Sequence, residues 1–256
     1  MGCQDEAMHE TTLELTTTDG TQGVLAKHPD GPGPWPVVVM FPDGPGVREA
    51  THEVARMIAA QGYYVVAPDR YYRFGRFLHI DPAEMRIPDS DAVKQFRGWL
   101  MGTSEEQVGA DLDALLAHLA DDPDAAQGSM GVVGYCVGAR SSILTATRLP
   151  EVFACSAGMH PSFCTTAGPD SPHLRVAAYP GEVYIGFGSA DRLQSPEANA
   201  AYIDAVNAMP DGRGLAEIHD GADHGFAVPG PSHHQAAADR SYHRAFAMFA
   251  RTLRAG

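Results

Sequence analysis

The eight residues from Gly131 to Gly138, GVVGYCVG, constrain the fold of this chain more than any other segment. A short apolar run leads into Cys136, which has a glycine two residues before it and another two residues after it. This pattern is typical of a sharp strand-to-helix turn that lifts a nucleophilic side chain above a parallel sheet. Glycines suit the turn because its backbone is strained and neighbouring segments leave no space for a Cβ atom. The N-terminal N–H groups of the following helix would favour the Cys136 thiolate over the thiol.

The pentapeptide alone leaves a second interpretation of Cys136 open. Free cysteine is among the most buried residue types and usually packs as a small hydrophobe. Glycine is also common near strand ends in α/β proteins. The residues that follow Cys136 along the chain must therefore decide between a nucleophile and a packing thiol.

Length and composition limit the class of protein. The 256 residues suit one large α/β domain over 1–256, and an apolar fraction of 44% is enough for a substantial core. The formal net charge of −14 argues against nucleic acid or an anionic membrane as a partner. We therefore expect neither a nucleic-acid nor a membrane partner, and the sequence leaves monomer and dimer open.

The cysteines indicate a reducing compartment. Cys3, Cys136, Cys155 and Cys164 lack the C-x-x-C spacing of zinc sites and thioredoxin-like sites. The first ten residues have neither the basic nor the apolar region of a secretory signal, and no apolar run is long enough to span a bilayer. We expect a cytoplasmic protein in which Cys155 and Cys164 are ordinary core or loop thiols.

Short apolar runs alternate with segments of helical periodicity. The expected strands are 11–16, 21–27, 36–41, 63–67, 128–135, 152–158, 182–187 and 215–219, the first two joined at Asp19-Gly20. The expected helices are 49–61, 91–101, 104–120, 138–147, 196–209 and 234–254. The alternation predicts an α/β fold with a mostly parallel, doubly wound sheet, flanking helices and an N-terminal antiparallel pair. Residues 70–90 show no long period and are expected to form an active-site loop or cap.

Three side chains suited to covalent catalysis follow expected strands. Ligands of such sheets bind outside the carboxyl ends of the strands, and Cys136, Asp191 and His224 all lie there. Their chain order is nucleophile, acid, base. An imidazole can take a proton from the nucleophile, and a carboxylate can hold the imidazole in the required tautomer. The backbone N–H groups of Val137 and Gly44 would form the oxyanion hole.

Along nearly its whole length the chain resembles the dienelactone hydrolase family of α/β-hydrolases. The matching segments are 41–47 (FPDGPGV), 62–69 (GYYVVAPD), 134–138 (GYCVG), 188–191 (GSAD) and 223–226 (DHGF). The resemblance implies the α/β-hydrolase fold and hydrolysis of an ester or lactone through a thioester acyl-enzyme. It also implies a Cys136, Asp191 and His224 triad that works without a metal or an organic cofactor.

The chain departs from that family at two positions. Asp43 stands where type members have a glutamate that contacts the resting thiol and helps to activate it on substrate binding. Val228 stands where they have an arginine that holds the substrate carboxylate, so Arg86 or Arg97 is the candidate replacement.

Further candidates and alternatives come from the neighbouring residues. Tyr135 and His160 follow strand residues beside the expected site, and we interpret both as candidate substrate-binding residues. Asp69 is expected to shape the 70–90 loop.

His219 and Asp223 compete with His224 and Asp191 for the roles of base and orienter. A zinc site built from Cys136, His219, Asp223 and His224 lacks the spacing of known zinc motifs. Two other functions stay open, a non-catalytic binding or sensor protein on the same fold and a thiol redox protein that uses Cys136.

Overall fold

The computed structural model of the protein describes residues 8–253, so Cys3 and the predicted lack of a secretory signal fall outside the described residues. The backbone groups into two units. The first contains residues 8–40 and 45–128, and the second contains residues 41–44 and 129–253. The expectation of one domain over the whole chain stays a prediction.

The strands of the first unit include the predicted hairpin. They are β1 (Met8–Thr17), β2 (Gly20–Pro29), β3 (Val37–Phe41, whose last residue belongs to the second unit) and β4 (Tyr64–Pro68). β2 pairs antiparallel with β1 and with β4, and β4 pairs parallel with β3. Every residue of β3 and β4 is buried, as expected for strands covered on both faces.

The helices of the first unit agree with the predicted ones because their ends carry strong local signals. They are α1 (Glu49–Ala59), α2 (Asp91–Met101) and α3 (Glu105–Asp121). The Ser90 hydroxyl accepts a hydrogen bond from the Val93 N–H at the start of α2, and Ser104 forms a capping box with Gln107 at the start of α3. Gly62 follows α1 with a φ of +87°, a left-handed conformation that favours glycine.

Residues 70–90 form a series of turns and one short 3₁₀ helix (Glu84–Arg86), as expected for a loop. The start of this loop is held by Asp69, whose carboxylate accepts hydrogen bonds from the N–H groups of Tyr71 and Phe77. Burial raises the pKa of Asp69 to about 6, although both hydrogen bonds favour the ionised form. Tyr71 packs with Ile80 and Trp99 in a small buried cluster. The predicted loop-shaping role of Asp69 therefore agrees with its contacts.

The strands of the second unit run parallel to one another. They are β5 (Met130–Tyr135), β6 (Phe153–Met159), β7 (Glu182–Gly188) and β8 (Gly214–His219), paired in that order. The parallel arrangement brings their carboxyl ends to one edge, where the residues that follow β5 to β8 are neighbours.

The helices of the second unit differ from the prediction at two places. They are α4 (Val137–Arg148), α5 (Pro172–Arg175), α6 (Ala200–Asn207) and α7 (Gln235–Thr252). The helix predicted from 196 begins only at Ala200, because residues 196–199 form a turn and Asn199 has the non-helical backbone angles φ −109° and ψ +13°. The four-residue α5 was not predicted, since so short a helix leaves no apolar period in the sequence.

Among the described residues, none of the helices combines the length and the apolar character that crossing a membrane requires.

Candidate active site

The turn between β5 and α4 places Cys136 in a strained conformation. Cys136 has a φ of +54° and a ψ of −119° and precedes the first residue of α4. A Cβ on Gly134 would lie 2.1 Å from the Gly138 carbonyl oxygen, and a Cβ on Gly138 would lie 2.3 Å from the Phe41 carbonyl oxygen. Both contacts are with backbone, which has little freedom to move away. The two glycines flanking Cys136 are therefore required by close packing, as the sequence pattern predicts.

His224 and Asp191 are joined by a short hydrogen bond. The imidazole Nδ1–H of His224 donates to Oδ2 of Asp191 over 2.7 Å. The other oxygen of Asp191 accepts hydrogen bonds from the N–H groups of Leu193 and Gln194, and the side chain is fully buried. Burial opposes the charge on Asp191, but these hydrogen bonds outweigh it and hold the pKa of the carboxyl below its usual value. The imidazole is thus held by an ionised carboxylate, with Nδ1 carrying the proton.

Cys136 and His224 change each other's protonation. Burial raises the pKa of the Cys136 thiol, but the charge and hydrogen bond of His224 and the hydroxyl of Ser162 outweigh it and lower the pKa. Burial lowers the pKa of His224, yet the Cys136 thiolate and the hydrogen bond to Asp191 together raise it to about 10. Each of the two side chains therefore shifts the pKa of the other toward its charged form.

Ser162 is a residue at this site that the sequence analysis missed. Its hydroxyl oxygen lies 3.3 Å from Sγ of Cys136, and its side chain is buried. It belongs to the segment after β6, at the carboxyl end of a parallel strand, where residues of a binding site are expected. A single serine is common in loops and matches no sequence motif, so the sequence alone does not identify Ser162 as a site residue.

His160 packs against the imidazole of His224. It is fully buried, and its ring lies edge-on to that of His224 with the ring centroids 5.2 Å apart. The same ring lies 6.1 Å from the ring of Tyr135, which is also buried. Both residues are therefore beside the site, and their predicted contact with substrate stays a prediction.

Asp43 lies close enough to act on the thiol. The carboxylate is buried, and its negative charge opposes the Cys136 thiolate. Gly44 is its neighbour in the same short segment, and Val137 is the first residue of α4, where a helix leaves its N–H without an intrahelical acceptor. Their oxyanion-binding role stays a prediction.

The two arginines proposed for the substrate carboxylate lie in the first unit. Arg86 belongs to the 3₁₀ helix and Arg97 to α2, and both side chains are exposed. Their role in substrate binding stays a prediction.

The competing candidates for base and orienter have other contacts. His219 Nε2 hydrogen-bonds with the hydroxyls of Tyr184 and Ser241, at 3.2 Å and 2.9 Å. Asp223 accepts a hydrogen bond from the backbone N–H of His224, which anchors the loop without touching the imidazole nitrogens. The geometry therefore favours His224 with Asp191 over either alternative.

The remaining described cysteines are buried free thiols. Cys155 accepts a hydrogen bond from the Thr252 hydroxyl, and Cys164 lies 3.6 Å from the Ser162 carbonyl oxygen. Within residues 8–253, no group of three or more His, Cys, Asp or Glu side chains is arranged to hold a metal ion.

Known proteins are similar to this chain in sequence and in fold. A carboxymethylenebutenolidase of Rhodococcus opacus is 28% identical over 251 residues, which cover 96% of this chain and 93% of the relative. A carboxymethylenebutenolidase of Pseudomonas putida is 30% identical over 137 residues, covering 53% of this chain and 55% of the relative.

A crystal structure from Klebsiella pneumoniae, of a protein provisionally named a dienelactone hydrolase, aligns with a TM-score of 0.80. Its sequence identity is 23%, and the alignment covers 96% of this chain and 99% of that one. This likeness confirms the predicted α/β-hydrolase fold. The sequence model of the dienelactone hydrolase family matches residues 22–253. This chain belongs to the dienelactone hydrolase family and is a hydrolase of carboxylic esters or lactones.

Proposed function

We propose that the protein hydrolyses a small ester or lactone with Cys136 as nucleophile, His224 as general base and Asp191 as the residue that orients the imidazole. The observation that carries the proposal is the 2.7 Å hydrogen bond between His224 and Asp191, together with the mutual pKa shifts of His224 and Cys136. The three side chains have the roles that an activated thiol nucleophile requires.

Acylation follows from these roles. The proton of the Cys136 thiol resides on Nε2 of His224, and the thiolate attacks the carbonyl carbon of the substrate. The carbonyl electron pair moves to oxygen, where the N–H groups of Val137 and Gly44 stabilise the negative charge. As the tetrahedral intermediate collapses, His224 donates its proton to the leaving oxygen and a thioester forms. With a lactone, the leaving hydroxyl stays attached to the acyl group.

Deacylation reverses the roles of the same groups. Neutral His224 takes a proton from water, and the resulting hydroxide attacks the thioester carbonyl. Collapse of the second tetrahedral intermediate expels the Cys136 thiolate and releases the carboxylic acid. The resting pair of thiolate and imidazolium is thereby restored, with water as the only co-reactant.

The other predicted residues complete the proposal. Asp43 takes the place of the family's glutamate beside the resting thiol, where its negative charge opposes formation of the thiolate until substrate binds. Arg86 or Arg97 would contact a substrate carboxylate, and Tyr135 and His160 would line the substrate pocket. The free thiols of Cys136, Cys155 and Cys164 support a reducing location such as the cytoplasm.

The experiment is a hydrolysis screen over aryl esters, lactones and dicarboxylate-type esters with wild type and Cys136→Ala. We expect Cys136→Ala to lose turnover and Cys136→Ser to retain a weak esterase activity, because serine depends more strongly on its base. The matched control is Cys155→Ala, which removes a thiol outside the site and should keep turnover per folded molecule. Full activity of folded Cys136→Ala would contradict the assignment.

A further inference from the structure

The segment after β6 holds Ser162 against the nucleophile by two contacts. The Ser162 hydroxyl oxygen lies 3.3 Å from Sγ of Cys136, within hydrogen-bond range for sulfur. The Ser162 N–H donates to the carbonyl oxygen of Cys136 over 3.0 Å. Backbone and side chain of one residue therefore both engage the strained residue that carries the thiol.

The neighbours of Ser162 keep this segment in place. Arg140 in α4 donates to the Phe163 carbonyl oxygen over 2.7 Å and pairs with Asp170. The Phe163 N–H donates over 3.0 Å to the side-chain oxygen of Gln194. The backbone N–H of Gln194 in turn donates to the carboxylate of Asp191. The segment is thus tied both to the helix that follows the nucleophile and to the loop that holds the acid.

The backbone around Ser162 is strained on both sides. His160 has a φ of +40° and Phe163 a φ of +58°, values that non-glycine residues rarely adopt. Such conformations persist where surrounding contacts over-determine them, and they cluster at functional sites. Here the strained residues His160 and Phe163 flank Ser162, the residue whose buried hydroxyl lies beside the thiol.

We propose that Ser162 is a catalytic residue whose hydroxyl donates a hydrogen bond to the Cys136 thiolate and stabilises it before attack. The inference deepens the proposed function, since it rests on Cys136 being the nucleophile. The proton that leaves Sγ resides on His224, while the serine hydroxyl keeps its own proton. Once Sγ is part of a thioester it is a poor acceptor, so the hydrogen bond acts mainly on the resting thiolate.

Several groups act on or near the same thiol, and of the two side chains that lower its pKa, His224 and Ser162, the serine is the neutral one. The His224 imidazolium favours the thiolate, and Asp43 opposes it. Asp191 acts through its hydrogen bond to His224, and His160 packs against the ring of His224. A hydroxyl donor adds to the stabilisation of the thiolate at any pH where His224 is charged. Because nucleophilicity falls as thiol pKa falls, this stabilisation helps at low pH and slightly slows attack at high pH.

The test is the pH dependence of Cys136 alkylation by iodoacetamide, followed by peptide mass spectrometry in wild type and Ser162→Ala. Hydrogen bonds to charged groups predict an upward shift of the alkylation midpoint by about one pH unit or more. Alkylation of Ser162→Ala at pH well below that midpoint should be roughly tenfold slower than in wild type. Above both midpoints it should be as fast as wild type or faster. Superimposable profiles would overturn the proposal.

Two further variants separate the hydroxyl from packing. Ser162→Thr retains the hydroxyl and should keep the wild-type midpoint, and a Ser162→Thr profile that follows Ser162→Ala contradicts the proposal. Ser156→Ala removes another buried hydroxyl, which bonds to Ser142, and should leave the midpoint unchanged. If Ser162→Ala does not fold by circular dichroism, Ser162→Gly takes its place in the same comparison.

Alkylation does not depend on ester turnover. A wild-type protein that hydrolyses none of the screened esters contradicts the proposed function and leaves this comparison intact.

Discussion

The imidazole Nδ1 of His224 lies 2.7 Å from Oδ2 of Asp191, so the ring nitrogen that carries the fixed proton faces the carboxylate. Nε2 is then the nitrogen available to exchange a proton with the Cys136 thiol. The second oxygen of Asp191 is already occupied by the N–H groups of Leu193 and Gln194, so the carboxylate has little freedom to rotate away. The orientation of the His224 ring is therefore set by the backbone contacts of Asp191.

Asp191→Asn should reduce kcat/KM by at least about a hundredfold, because an amide at this position no longer enforces the tautomer or stabilises the imidazolium. The measurement is steady-state hydrolysis of an aryl ester at neutral pH. Asp223→Asn is the matched control, since the Asp223 side chain accepts a hydrogen bond from the backbone N–H of His224 and not from its imidazole. If Asp223→Asn lowered kcat/KM as much as Asp191→Asn, the assignment of Asp191 as the orienting residue would be contradicted.

His224→Gln should return the pKa of the Cys136 thiol toward its ordinary value. His224 lowers that pKa through its charge and hydrogen bond, against the opposing effect of burial. We expect wild type to show a thiolate absorbance at 240 nm that persists below the usual thiol range near about 8.5 and disappears only at lower pH. In His224→Gln the midpoint should move up by about one unit or more. Subtraction of the Cys136→Ala spectrum isolates this thiol, and an unchanged midpoint in His224→Gln would refute the ion pair.

Gly138→Ala should destabilise the fold by more than about 2 kcal/mol, because the new Cβ meets backbone that has no space to move. That Cβ would lie 2.3 Å from the Phe41 carbonyl oxygen and 2.4 Å from that of Pro42. Urea unfolding measures the effect. Gly98→Ala provides the contrast, since Gly98 lies in α2 with nothing within 4 Å of the added Cβ, and should stabilise by about 0.5–1 kcal/mol. Equal effects at the two positions would contradict the packing argument.

Glu217→Gln should lower the free energy of unfolding at neutral pH, and it should lower it by less at acidic pH. Burial opposes the charge on Glu217, but Arg240 and Arg244 outweigh it and lower its pKa to about 2. A depressed carboxyl pKa contributes stability above the unfolded-state value of about 4.3 and loses it as the pH falls toward 2. Because both arginines are partly exposed, we expect about 1–2 kcal/mol between wild type and Glu217→Gln at pH 7. Urea unfolding should show this difference shrinking as the pH is lowered to about 3.

Glu182→Gln is the control for that experiment, since Glu182 pairs with one exposed side chain, Arg251, over 2.6 Å. An exposed ion pair contributes about 0–1 kcal/mol, so its removal should have a small effect at every pH. A Glu217→Gln difference that stays constant between neutral and acidic pH would contradict the ion-pair account.

Local signals explain why the fold was largely predictable from the sequence. The serines at 90 and 104 begin α2 and α3 where a helix N-cap is expected, and β3 and β4 are apolar on both faces. The boundary at Ala200 was missed because a proline after a serine predicts a helix start, whereas here it begins a turn.

The candidate site was predictable where a residue of a suitable type follows a strand in the chain order expected of a nucleophile, an acid and a base. Cys136, Asp191 and His224 each follow a strand in the second unit, so topology brings Asp191 and His224 to hydrogen-bond distance. Ser162 was not predictable, since it lies 26 residues from the thiol and one serine after a strand carries no distinctive spacing. Its contact depends on the bend of the segment at His160 and Phe163, which only the three-dimensional structure reveals.

The most direct test of the account is acid quenching of the wild-type protein during turnover of an activated aryl ester, followed by peptide mass spectrometry. We predict that the acyl group is found on the peptide containing Cys136, that it accumulates within one turnover, and that folded Cys136→Ala carries none and hydrolyses none. Sustained hydrolysis with no acyl group on Cys136, together with full activity of Cys136→Ala, would contradict the account.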